Sequence, residues 1–121
     1  MSVTTKTILP LSALMLGLSI PLAGVSVGAG QDEPLVKKGQ EIDAAQKCAT
    51  CHRIAGKGGK QSPLDGVGKK LSAADTRAWI VTPVEMTNKT ASTKKPPMPN
   101  KWAKMPAADL DALVAYMQSV K

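Results

Sequence analysis

Cys48-Ala49-Thr50-Cys51-His52 is the stretch on which the reading of this chain turns. Two thiols three positions apart lie on the same side of a helical turn. From there they can add to the two vinyl groups along one edge of a porphyrin, the C-x-x-C-H pattern of covalent haem attachment. The next side chain, His52, is then held where an imidazole nitrogen can bind the iron.

The chain has 121 residues with two Cys and one His, and all three sit in this pentapeptide. Competing readings run short of ligands. A structural zinc site needs about four, and no further Cys or His exists to supply them. A thioredoxin-like redox pair wants a βαβ pattern around it, and none is visible. A disulfide between Cys48 and Cys51 would close a very short loop and stabilise little.

Working outward, residues 8–29 form a small, apolar run from Ile8 to Ala29 behind Lys6. This resembles a secretory signal peptide spanning residues 1–29, cleaved after Val27-Gly28-Ala29. The rival is an uncleaved membrane anchor, since about 20 apolar residues can span a bilayer. Pro10, Gly17, Pro21 and Gly24 interrupt the run, which favours cleavage. Export also fits the motif, because both thiols are consumed as thioethers and none is left for a disulfide. A periplasmic or otherwise exported location is expected.

Residues 30–121 are then a single domain. They hold Trp79, Trp102 and Tyr116 and no Phe, a meagre supply for a core. A small domain with little core needs a staple, and a large flat apolar cofactor supplies one. The formal charge of the whole chain is +7. Lys37, Lys38, Lys57, Lys60, Lys69, Lys70, Lys94, Lys95, Lys101 and Lys104 are spread along it. At the least they make a solvated surface; more sharply, they suggest a basic face that steers docking to an acidic partner. Nucleic acid is not expected as a partner, because no recognition motif is present. The free protein is expected to be a monomer, with membrane contact only if the N-terminal segment is retained.

The spacing of Leu35, Gly39, Ile42 and Ala45 predicts a helix over Leu35–Lys47, with Pro34 at its start. Gly39 costs helix stability relative to Ala, so its use would be to let another helix approach. The glycine-rich stretch 53–70 reads as a loop. Ser72 is a candidate N-cap with Asp75 three positions on, and the helix it opens should stop near Thr82, before Pro83. Residues 84–97 read as a second loop. The last helix starts at about Pro106, and Leu110, Leu113, Val114, Met117 and Val120 form its apolar stripe. No strand pattern or internal repeat is evident.

Haem iron has two axial positions, and a second imidazole is excluded. Met98 is the best remaining donor. It lies in Pro96-Pro97-Met98-Pro99, a stiff loop with no helical duty that can wrap over the far face of a haem. A thioether favours ferrous iron and raises the potential. Met117 falls on the helical stripe and reads as core. Met86, in the second loop, and Met105, before the last helix, remain alternatives.

Residues 35 to 121 resemble the class I cytochrome c family. The resemblance rests on Leu35-Val36-Lys37-Lys38-Gly39, the Cys48–His52 motif, Pro63-Leu64 with Gly66-Val67-Gly68, Trp79-Ile80 before Pro83, Met98-Pro99, and Leu110 through Met117. It implies an all-α fold, three to four helices wrapped around one covalent haem c. Cys48 and Cys51 would carry the thioethers, with His52 and Met98 as axial ligands. The Pro63 carbonyl would accept the other ring N–H of His52, and Leu64 and Trp79 would line the pocket. The first and last helices would cross at Gly39, close to Tyr116. Asp43 departs from the pattern, since many members carry an aromatic in the first helix. The expected function is one-electron transfer between exported redox proteins, without enzymatic activity. The alternatives are a small cytochrome subunit of an oxidoreductase complex, or a haem ligand sensor or weak peroxidase in which Met98 leaves the iron.

Overall fold

The computed structural model describes residues 32–121. The signal or anchor segment read over residues 1–29 lies outside the described residues. No described helix is long and apolar enough to cross a membrane.

Helix α1 spans Glu33–Ala45. It begins two residues earlier than expected, because Glu33 and Pro34 both suit a first turn: one complements the dipole, the other has a preset φ. It ends before Lys47, which takes a left-handed φ of 57° and turns the chain into a 3-10 turn at Cys48–Thr50. The stretch expected to be a loop holds three short strands, β1 His52–Ile54, β2 Lys57–Gly58 and β3 Ser62–Pro63. β1 is central, antiparallel to β2 and parallel to β3. Strands of two or three residues carry no readable alternation, which is why the sequence shows none.

A short helix α2, Val67–Lys70, follows Gly66, whose φ of 72° is ready-made for glycine. Helix α3, Ala73–Val81, is capped as its sequence predicts: the Ser72 hydroxyl accepts from the Asp75 N–H at 3.0 Å. Its end at Thr82 also matches, but the chain does not then become a loop. Pro83 opens a new helix, α4, over Pro83–Lys89. Pro83 is fully buried and Met86 is 5% exposed, so α4 is anchored from inside. Pro at the first position, Glu85 in the first turn and Lys89 in the last are its sequence signals. Residues 100–102 form a second 3-10 turn, and α5 spans Ala107–Ser119.

The described residues form a helix-rich fold with five helices rather than the three to four expected, α2 and α4 being short, and the small sheet departs from an all-α fold. The core is a cluster of Val67, Ile80, Leu110, Leu113, Val114 and Met117, so α5 presents the expected stripe to α2 and α3. Thr76, 4% exposed, is satisfied by the Gln118 amide, which also donates to the Leu71 carbonyl.

α1 and α5 cross backbone to backbone at Gly39. A Cβ there would collide with the Ala112 carbonyl and come within 2.7 Å of Tyr116 Cβ. Gly68 is packed on α5 in the same way, its missing Cβ only 2.9 Å from Gln118 Cα, and its N–H donates to Val120 at 2.9 Å. Lys38 pairs with Asp109 at 2.8 Å, and Arg77 pairs with Asp111. Exposed pairs of this kind add little, about 0–1 kcal/mol each.

Two effects of opposite sign meet at Gly39→Ala. Helix propensity favours Ala by about 1 kcal/mol, whereas overpacking against backbone costs about 1–3 kcal/mol. Because the obstacle is a carbonyl rather than a flexible side chain, the collision wins. Thermal unfolding should show Gly39→Ala below wild type; an equal or higher midpoint would mean that the helices part without cost.

Candidate functional site

Between the 48–52 turn, the β3–α2 segment, α3 and the chain from Ser92 to Trp102 lies a cavity of about 830 Å³. This is toward the upper end for ligand sites, which run from roughly 300 to 1,000 Å³. Cys48, Cys51 and His52 line one side. Leu64, Val67, Leu71, Trp79, Ile80 and Met117 contribute apolar wall, and Met98 and Pro63 also line it. Met86 does not; it is buried on α4. Met105 lies instead in a second, smaller groove with Ile42, Ala45 and Pro106. Of the three methionines the sequence offered as second donors, Met98 alone reaches this cavity.

The sheet positions His52. Its ring Nδ1–H donates to the Ser62 carbonyl at 2.9 Å. The acceptor expected from the family resemblance was the carbonyl of Pro63, so this is a correction of one residue. The parallel register explains it: Ser62 pairs with His52, and Pro63 with Arg53. Proline has no N–H, so the ladder bonds come from the residues flanking it, Ser62 to Cys51 at 3.2 Å and Leu64 to Arg53 at 2.8 Å. With Nδ1 tied to a carbonyl, which can only accept, Nε2 is left with its lone pair free for a metal.

The carboxylate of Asp65 fastens the turn after β1, accepting from the Ala55 N–H at 2.7 Å and from Arg53 Nε at 3.4 Å. Trp102 was not anticipated. Its indole N–H donates to the Gln46 side-chain oxygen at 2.9 Å, and the Lys101 ammonium lies 4.4 Å from the ring centroid. A large aromatic within a Lys- and Pro-rich connection is the signal that could have found it. Lys47, Lys70, Lys94, Lys95 and Lys101 border the same cavity, against one acid, Asp65.

Asp43 sits at the helix crossing, near this motif. Its Oδ1 is buried with no hydrogen-bond partner among the described residues. Burial pushes its carboxyl above the ordinary value, and the Cys48 thiol and the charge of His52 pull the other way without prevailing. Burial, and then Asp43, push the Cys48 thiol up to about 12. Burial, and then Asp43, also raise Tyr116. Both cysteines are free. Among the described residues no group of three or more His, Cys, Asp or Glu could hold a metal ion.

The donor set therefore fits a haem and fits a bare ion badly. It comprises two thiols, one imidazole with a free Nε2 and one thioether, facing an apolar chamber of ligand size. A family model described as Cytochrome c matches residues 36–121. Comparison with curated proteins and with solved structures gave no match.

Asp43 yields a pH test. Its folded-state value lies above its unfolded one, so the folded state binds the proton more tightly. Stability from this group is full below the ordinary carboxylate value of 3.8 and is lost as pH rises through the folded value. Asp43→Asn should raise the thermal midpoint at neutral pH, and the gain should vanish toward pH 3.8. A gain that persists unchanged in acid would assign the effect to packing rather than to ionisation.

Proposed function

The chain belongs to the cytochrome c family, which binds covalent haem c with iron, and on that premise we propose that it is a one-electron carrier with His52 and Met98 as axial ligands. The cytochrome c domain is that of a haem-based electron-transfer protein. One observation carries the finer reading. The only His of the chain, both Cys and a proline-flanked Met line the same cavity.

When bound, haem supplies a one-electron iron couple. The protein's own part follows from its residues. Cys48 and Cys51 would hold the macrocycle by thioethers. The Ser62 carbonyl fixes the tautomer of His52 and strengthens Nε2 as a donor. Met98 offers a soft thioether, which favours the reduced state. Leu64, Val67, Trp79 and Ile80 give the chamber apolar walls that would keep water from a bound macrocycle. With His52 and Met98 both bound to the iron, no site would be left for a substrate, and the sequence holds no second imidazole for acid–base work. That combination suits a carrier rather than a catalyst.

Lys47, Lys70, Lys94, Lys95 and Lys101 around the cavity support docking to proteins with an acidic surface, and brief association suits an exported shuttle. Charge steering of this kind raises the association rate more than the affinity.

Met98→Ala should abolish the long-wavelength charge-transfer band of the ferric protein, lower the midpoint potential, and open ferrous iron to carbon monoxide. An unchanged band would remove Met98 from the ligand set. For docking, Lys95→Glu should slow electron transfer with an acidic partner several-fold at low salt. The difference should close toward 1 M salt, where the screening length is about 3 Å. A charge effect independent of salt would argue against steering.

A further inference from the structure

The stretch that carries Met98 is weakly held. Upstream, the Thr90 N–H and hydroxyl both bond the Met86 carbonyl, and the Ser92 N–H donates to Thr87 at 3.0 Å. From residue 93 to residue 99, no hydrogen bond to the body of the protein is found among the described residues. The first tie beyond Met98 is four positions on, where Trp102 Nε1 meets Gln46 Oε1 at 2.9 Å. Gln46 closes α1, two positions before Cys48. This single bond therefore joins the strap bearing Met98 to the turn bearing Cys48, Cys51 and His52.

The surroundings of Trp102 make the bond matter. The indole lines both the large cavity and the smaller groove and packs, half-buried, against the core cluster. Its N–H is also an obligatory donor that half-burial leaves with few alternatives. The Lys101 ammonium, 4.4 Å from the ring centroid, adds attraction to the face but no direction in the ring plane.

We propose that Trp102 and Gln46 form a latch that keeps the Met98 strap closed over the cavity, and so act as positioning residues for the second axial ligand. The proposal rests on Met98 being that ligand. Neither residue supplies a donor atom; both set how often the strap opens. With the latch broken, Met98 leaves more often and an external ligand competes better for the iron.

The test uses the haem-loaded protein with imidazole as the competing ligand for ferric iron, read alongside the charge-transfer band and thermal unfolding. Trp102→Phe keeps the ring and removes the donor; Gln46→Leu keeps the size and removes the acceptor. Each should raise the apparent imidazole affinity about three- to tenfold, the range expected for one partly buried hydrogen bond. The double variant should do no more than either single one, because both remove one bond. Gln46→Glu keeps an acceptor and should restore wild-type affinity, which a merely structural role would not predict. Wild-type affinity in both single variants, full additivity in the double variant, or failure of Gln46→Glu to rescue would each overturn the latch. If Trp102→Phe fails to load haem, the Gln46 pair decides alone. Met98→Ala in the same assay separates the two claims. Unchanged affinity there removes the ligand reading and the latch with it. Raised affinity there, with no effect at Trp102 or Gln46, removes the latch only.

Discussion

The approach of α1 to α5 at Gly39 is the constraint on which the other elements depend. Ala112 and Tyr116 leave no room for a side chain there, so the two helices meet through their backbones. The contact fixes the direction in which α1 delivers Gln46, Lys47 and the cysteine turn. It also sets the rotation of α5 that presents Leu110, Leu113, Val114 and Met117 inward. Met117 belongs to both the core cluster and the cavity wall, so the helix crossing and the chamber share a side chain. A second close approach, Gly68 on Gln118, brings the wall bearing Leu64 and Val67 against the same helix.

Much of this was legible in the sequence because it rests on local rules. The pentapeptide at 48–52, the Ser72 cap, the α5 stripe and the use of Gly39 each need only a few residues to state. What stayed hidden depends on register or on distant pairing. Pro63 marks the right neighbourhood, but which carbonyl meets His52 is decided by a parallel pairing of two-residue strands that no periodicity reveals. α4 was masked because Pro83 is both a terminator of one helix and a good first residue of the next. Trp102 and Gln46 are 56 positions apart, and nothing in either segment points to the other.

Asp43 shows how a departure from a family pattern can be placed physically. Its carboxylate stands in the first helix, where the family resemblance implies an aromatic facing the last one. After burial, it is what raises Cys48 and Tyr116, while its own Oδ1 has no hydrogen-bond partner among the described residues. The helix crossing tolerates this because its tightest point is at Gly39, one turn away, and is made by backbone.

The strap from residue 93 to residue 99 bridges fixed points at Ser92 and Trp102 without hydrogen bonds of its own to the body. Hydrogen bonding to the body therefore does not fix its length, although Pro96, Pro97 and Pro99 stiffen it. Insertions or deletions before Pro96 would alter the reach of Met98 while sparing the helices and the cysteine turn. The fold thus keeps the helix crossing and the cysteine turn apart from the segment that carries Met98.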